Sequence, residues 1–502
     1  MSKTKKQRRI ILNNSGYSLA PRARQTPIGV QGLIAEAITP LVGTHVDTLF
    51  WCLGADSMNI ANISNVYCHD TKVGEKYGEN WDTFPDSEWW RLYENFRDML
   101  EKGHDPPRVI VEHGRKAGLE VFLSLRVNDI HDGVLPDSSK IWSTYKREHP
   151  ELLLGEQPGC HKNFWTALNY GRPEVREHRL AIIREALELY DMDGFELDFM
   201  RMPLFFDVGM GYAYRHVMSD FVRRVRYDIE DAAKRRGHEI ILGVRVPASF
   251  DTCEKIGLDV RAWLDDRLIN LLTIGGGYRP FDYPYEEFAE AAHAGDCQLY
   301  ATYNNIKREE VTRAWAQTAW KGGVDGLYVF NWGAYLSTDP QPLLSEIGDP
   351  DLIARKSKQY DFKSHTSSET LTGIYWVPPG PLPLTLDVTP ADDELQVSLK
   401  VADDLEAAKA DGTITEVILK IELSDLTPLD QLSFKLNGQQ LDLNQAKYSR
   451  RLRMNWFEWC LNAPPVRQGE NIINISVQQR SRVSRVPLML RDVAIMPCYR
   501  NP

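Results

Sequence analysis

Eight short apolar runs spaced along residues 9–331 constrain the fold more than any other feature of this chain. They occupy residues 9–13, 47–53, 120–127, 194–199, 240–246, 269–274, 298–303 and 326–331. Each is too short for a helix. Amphipathic stretches with a helical period lie between them, at residues 87–102, 174–190, 214–236, 285–294 and 309–320. Strand, helix, strand repeated in this way makes a parallel sheet, and eight repeats over about 340 residues is the count of a (β/α)8 TIM barrel. A doubly wound sheet would carry a glycine-rich phosphate loop after the first strand. Asn13-Asn14-Ser15-Gly16 is not such a loop.

A chain of 502 residues exceeds one ordinary core. The pattern changes after residue 345. Residues 346–370 read as a connection. Beyond 371, short runs at 384–388, 394–401, 415–421, 431–436, 471–478 and 493–496 are separated by turn residues. That is the pattern of an all-β sandwich. The expected division is a barrel over 1–345, a linker over 346–370 and a smaller β-sandwich over 371–502. Two long insertions, residues 54–85 and 128–173, follow the second and third strands on the side where barrels build their sites.

Charge and cysteine usage narrow the class. A net charge of −11 argues against a nucleic-acid partner. The seven cysteines are scattered, with no CxxC pair, which suits reduced thiols. A basic start, Lys3 to Arg9, is followed by only three apolar residues, too few for a signal sequence. No stretch approaches the ~20 apolar residues of a membrane span. A cytoplasmic protein with no membrane partner is the expectation, and the oligomeric state is open.

The segment that bears chemistry is Asp193-Gly-Phe-Glu-Leu-Asp-Phe-Met-Arg-Met-Pro203. In a strand, Phe195, Leu197 and Phe199 share one face, and Glu196 and Asp198 share the other. The apolar set suits the helix layer, so both carboxyls point into the barrel. Ser124, Arg126 and Asn128 share a face of the third strand, and Arg245 lies on the face of Gly243 in the fifth. Arg201 follows closely. Buried charges are costly unless paired, and barrel interiors are mostly branched apolar residues. A structural salt-bridge plug is one explanation. A paired-carboxylate glycosidase site is the other: one carboxyl protonates the leaving oxygen, and a second, ionised, attacks or stabilises the anomeric carbon. Asp198 beside arginine suits the ionised role, and the acid is Glu196 or Asp129.

This segment resembles the fourth-strand motif of bacterial glycosyl-hydrolase-like barrel families, in which Asp-Gly, a later Asp, an Arg and a Pro recur. The resemblance covers most of residues 8–345, implies a (β/α)8 glycosidase centred on Asp198 and leaves the acid unassigned; no cofactor is expected. Family-18 chitinases have a similar strand with a Glu two residues past the last Asp. Met200 stands there, so their acid is absent.

Other residues qualify as carbohydrate contacts. Asn128, Asp129 and His131 follow the third strand. Asn169 and Tyr170 sit in the second insertion. Trp51, Tyr278, Tyr303, Phe330, Asn331 and Trp332 fall at strand ends, where rings stack on sugars. His131 with Asp132 matches no metal-ligand spacing. Arg126, Arg201 and Arg245 admit an acidic or sulfated sugar as substrate, unless they serve the protein's own carboxylates. A sugar lyase or isomerase using His131, and a carbohydrate-binding barrel without turnover, are the competing functions. In the C-terminal part, Leu432 to Gly438 and Gln468 to Ile473 resemble galactose-binding-like sandwiches, whose role is bracing more often than sugar binding.

Overall fold

The computed structural model describes residues 6–16, 18, 28–54, 95, 98–130, 133, 144–160, 162–200, 202–275, 283–303, 308–332, 341–362, 382–386, 388, 394–482 and 484–500. Eight parallel strands close into a barrel: β1 (Ile10–Asn14), β2 (Val46–Gly54), β3 (Glu120–Arg126), β4 (Gly194–Asp198), β5 (Ile241–Val246), β6 (Leu271–Ile274), β7 (Gln298–Tyr303) and β8 (Gly326–Phe330). Closure is by β1, which bonds to both β2 and β8. Every anticipated barrel strand is present within two residues of its expected limits.

The helices Pro173–Leu189, Gly211–Arg236, Tyr285–Ala294 and Glu309–Lys321 match expectation. The helix Pro106–Lys116 had not been singled out. It begins on two prolines, which lack the N–H groups that a first helical turn leaves unpaired anyway. The outward strand residues Leu123, Leu125, Phe195, Leu197, Leu242 and Val244 pack with the helices in one continuous core.

The barrel interior is layered. At its N-terminal end Arg8 is held by Glu120 at 2.6 Å and by Gln298 at 2.6 Å. Above it, Ile11, Phe50, Phe122, Leu271 and Tyr300 form an apolar layer, in which Phe50 and Phe122 stack at 4.5 Å. The polar residues of the fourth-strand motif lie beyond this floor. Gly194 is required there: a Cβ on it would meet the Phe122 ring at 2.3–2.6 Å. Gly194→Ala is therefore expected to lower stability by about 1–3 kcal/mol through overpacking, measurable by urea denaturation.

Two antiparallel sheets make the all-β region. One runs Leu384–Leu386, Leu488–Tyr499, Ile414–Ser424, Met454–Leu461 and Lys447–Arg451. The other runs Leu395–Val401, Gly469–Gln479, Gln431–Leu436 and Gln439–Gln440. Leu399, Leu419, Ile421, Phe434, Trp459, Ile473, Ile475 and Ile495 share the core between them. Asn437 and Gly438 both have positive φ, 49° and 80°, as a two-residue hairpin turn demands. Tyr360–Asp361, within the stretch read as a connection, pairs with Leu488–Tyr499. There Lys358 is buried against Asp403 at 2.8 Å, and Gln359 N–H donates to Glu310 O of a barrel helix.

Candidate active site

The period-two pleat of β4 sends Phe195 and Leu197 to the helices and Glu196 and Asp198 into the barrel, as the alternation required. Glu196 is fully buried and Asp198 is 1% exposed. Asp198 is the last residue of β4, at the C-terminal end of the barrel, where such folds build their sites.

The two carboxyls have different surroundings. Arg245 grips Asp198 through both oxygens, Nε to Oδ1 at 2.9 Å and Nη2 to Oδ2 at 2.7 Å. The Met200 N–H adds a third donor to Oδ1 at 3.0 Å. Arginine only donates, so this geometry holds a carboxylate. The guanidinium lies over the Phe330 ring at 4.7 Å and the Tyr328 ring at 5.6 Å.

Glu196 is bonded on one side only. Its Oε2 accepts from Asn13 Nδ2 at 3.2 Å, from Tyr328 OH at 3.1 Å and from Ser124 Oγ. Burial pushes this carboxyl up to about 8, the neighbouring Asp198 charge adds to the rise, and Arg245 and the two hydroxyls oppose it. Burial thus favours the uncharged acid over the carboxylate at this position. With Oε2 taken by three donors, its proton belongs on Oε1, which has no hydrogen-bond partner among the described residues.

The folded value lies above that of an exposed glutamate, so the folded chain binds a proton that the unfolded chain has released. Glu196 burdens the fold least below about 4.5, its ordinary value, and its penalty grows as pH rises toward about 8. Denaturation midpoints of the wild type and Glu196→Gln are expected to converge below about 4.5, to separate as pH rises toward about 8, and to stay apart above it, with the glutamine variant higher.

Other buried polar atoms near these carboxyls also lack a partner among the described residues: Asn13 Oδ1, Arg245 Nη1, Thr273 Oγ1 and Thr302 Oγ1. Thr273 is the register partner of Arg245, and Thr302 of Tyr328. Buried polar atoms are almost always satisfied, so a group of them marks where water or a hydroxylated ligand bonds. Asn13, Tyr328, Thr273 and Thr302 were missed at the sequence level. The signal available was a polar or phenolic residue at an inward position of a barrel strand.

Several anticipated residues do other work. Arg126 Nη1 pairs with Asp129 Oδ2 at 2.9 Å, both buried. Asn128 is committed to loop structure: its Nδ2 donates to Leu168 O and Leu204 O, and its Oδ1 accepts from Leu168 N–H. Tyr170 is fully buried with its OH on Val127 O, and Asn169 Oδ1 accepts from Gly171 N–H in a local turn. Tyr303 stacks on Trp315 at 4.7 Å, and Trp332 meets Tyr303 edge-on; both belong, with Trp51, to the helix-side core. Asn331, at φ 55°, ties β8 to β1 through Ser15. Asn128 and Tyr170 are thus bonded to backbone groups, and Tyr303 and Trp332 pack on each other within the protein. Phe330 does face inward, beneath Arg245. His131, Arg201 and Tyr278 lie outside the described residues. No group of three metal-ligating side chains occurs among the described residues, and no helix there is long and apolar enough to cross a membrane.

No protein-family model matches the sequence, and no curated protein is similar to it. Solved structures do align with it. The glycoside hydrolase domain of PgaB (BpsB) from Bordetella bronchiseptica is 10% identical with a TM-score of 0.37, over 68% of this chain and 99% of that one. A chitinase-like agglutinin from Robinia pseudoacacia is 9% identical with a TM-score of 0.37, over 68% and 100%. A cycloisomaltooligosaccharide glucanotransferase from Paenibacillus sp. is 8% identical with a TM-score of 0.34, over 98% of this chain, which spans 58% of that protein. Likeness at this level carries no argument about chemistry, so the reading rests on the site's own residues.

Proposed function

We propose that this chain hydrolyses a glycosidic bond, with Glu196 as proton donor and Asp198 as the ionised partner. The observation that carries the reading is the contrast between two adjacent carboxyls, one kept neutral by burial and one clamped as a carboxylate by Arg245. Paired carboxyls pushed into opposite protonation states are the requirement of this reaction. Asp129, in an ion pair with Arg126, is the weaker choice of acid.

In the proposed step the bond between the anomeric carbon and the leaving oxygen breaks. Its electron pair stays on that oxygen, which takes the proton from Glu196 Oε1. Asp198 stabilises the positive charge that develops on the sugar. Water then adds to the anomeric carbon and returns a proton to Glu196. Arg126 and Arg245 are engaged by Asp129 and Asp198, which favours a neutral sugar over an acidic or sulfated one.

A second reading has its own observation. The position where family-18 chitinases place their acid holds Met200, buried at 2% exposure. A carbohydrate-binding barrel without turnover fits that substitution. Reducing-sugar release across a panel of neutral and acidic glycans separates the two. Hydrolysis of a neutral member, with the rate falling as pH rises through about 8, is the expected result. Saturable glycan binding with no release would favour the second reading.

A further inference from the structure

One end of the all-β region has a surface that the barrel reaction does not use. Three segments meet there: the turn at residues 425–430, the hairpin tip at 451–454, and residues 480–482 and 484–487 between the two sheets. Their proximity is set by bonding. Ser424 is the register partner of both Met454 and Met489. Asp425 N–H donates to Arg453 O, and Arg453 Nε returns to the Asp425 carboxylate. Asp430 accepts from Arg480 and from Ser481 N–H, and Arg480 also reaches Val486 O.

The tips carry aliphatic side chains turned to solvent. Leu429 is 60% exposed, Leu452 86% and Val486 45%. Val388, 55% exposed, follows the strand whose Leu386 pairs with Leu488 at this same end. Leu452 adopts a positive φ of 55°, which a leucine rarely does, at the apex of its hairpin. Around these tips stand Arg450, Arg451, Arg453, Arg480, Arg482 and Arg485. Arg453 and Arg480 are taken by aspartates. Arg451, Arg482 and Arg485 are exposed and form no ion pair with a described residue. The three segments together hold five Arg against two Asp, in a chain whose net charge is −11, so the positive charge is local.

We propose that this end of the sandwich docks on the surface of an anionic phospholipid bilayer. Aliphatic residues on projecting turns, ringed by unpaired arginines, match an interface where acyl chains lie beneath phosphates. A glycan site would instead offer flat aromatic rings in a recess. The lipid headgroups take the arginines, and the four aliphatic tips enter the boundary of the acyl region. The proposal stands apart from the barrel chemistry and survives if no glycan is cleaved.

The test is co-sedimentation of the full chain with vesicles. Phosphatidylcholine vesicles containing about one-third phosphatidylglycerol are compared with phosphatidylcholine alone, at low and high salt. Pelleting only with the anionic vesicles, weakened by salt, is expected. Arg451→Glu with Arg482→Glu is expected to lower the partition coefficient at least twenty-five-fold, taking about fivefold for each arginine at an anionic surface. Leu452→Ser with Val486→Ser is expected to lower it about tenfold or more. All four positions are exposed, so melting temperatures should stay at the wild-type value and exclude misfolding as the cause. Three results would each overturn the proposal: no pelleting with either vesicle, undiminished pelleting of the serine variant, or binding to a soluble polyanion such as heparin without binding to vesicles.

Discussion

Glu196→Gln is expected to lower kcat by about 10²–10⁴-fold, the loss of a positioned general acid, while leaving the folded chain intact. Gln reproduces the neutral form that the barrel already holds. Its carbonyl oxygen can accept from Asn13, Ser124 and Tyr328 as Oε2 does. Its amide occupies the place of Oε1 and has no transferable proton. The variant therefore separates chemistry from architecture. Wild-type kcat in Glu196→Gln would remove Glu196 from the reaction. Glu196→Ala is a poorer test, since it strands three buried donors and opens a hole.

The largest stability effect is expected away from the barrel, at Asp403. This carboxylate takes the Lys358 ammonium at 2.8 Å and the Tyr499 hydroxyl at 2.6 Å on one oxygen, and the Tyr360 hydroxyl on the other. Lys358 and Asp403 have no exposed side-chain surface. Burial holds the Lys358 ammonium below its usual value, against the pull of Asp403. Asp403→Ala leaves a buried cation and two phenols without their acceptor, a loss of about 3–5 kcal/mol. Chemical denaturation of the full chain measures it. Replacing both charges, Lys358→Met with Asp403→Leu, should recover much of that loss, because the desolvation of both ions is removed together. A single variant as stable as wild type would show that the cluster does not hold this joint.

The barrel was legible because its strands are buried on both faces. Such strands read as apolar runs whatever their neighbours, and the count alone gave the closure. The inward direction of Glu196 and Asp198 was legible for the same reason, since a pleat with period two leaves no freedom once Phe195, Leu197 and Phe199 are assigned outward. In the all-β region the hairpin Lys447–Leu461 was missed. Lys447–Arg451 is an edge strand exposed at every residue, so no alternation marks it.

The rest of the site was less legible, for a physical reason. Aromatic residues at strand ends face either the barrel mouth or the helices, and one position of shift exchanges the two. Trp51, Tyr303 and Trp332 fell on the helix side, while Phe330 fell inside. Asn128 looked like a ligand contact because an Asn after a strand is polar and close to the mouth. Its three bonds to backbone groups of residues 168 and 204 are long-range and leave no local trace. Asn13 and Tyr328 reach Glu196 from strands 183 and 132 residues away, a relation that appears only when the barrel closes.

The central claim is that the fourth-strand carboxyl pair cleaves a glycosidic bond. Its most direct test is reducing-sugar release by wild type beside Asp198→Asn, with both shown to be folded by circular dichroism and thermal melting. The account predicts release by the wild type and its loss in the variant, since the amide cannot supply the negative charge that Arg245 now anchors. Undiminished release by a folded Asp198→Asn would contradict it.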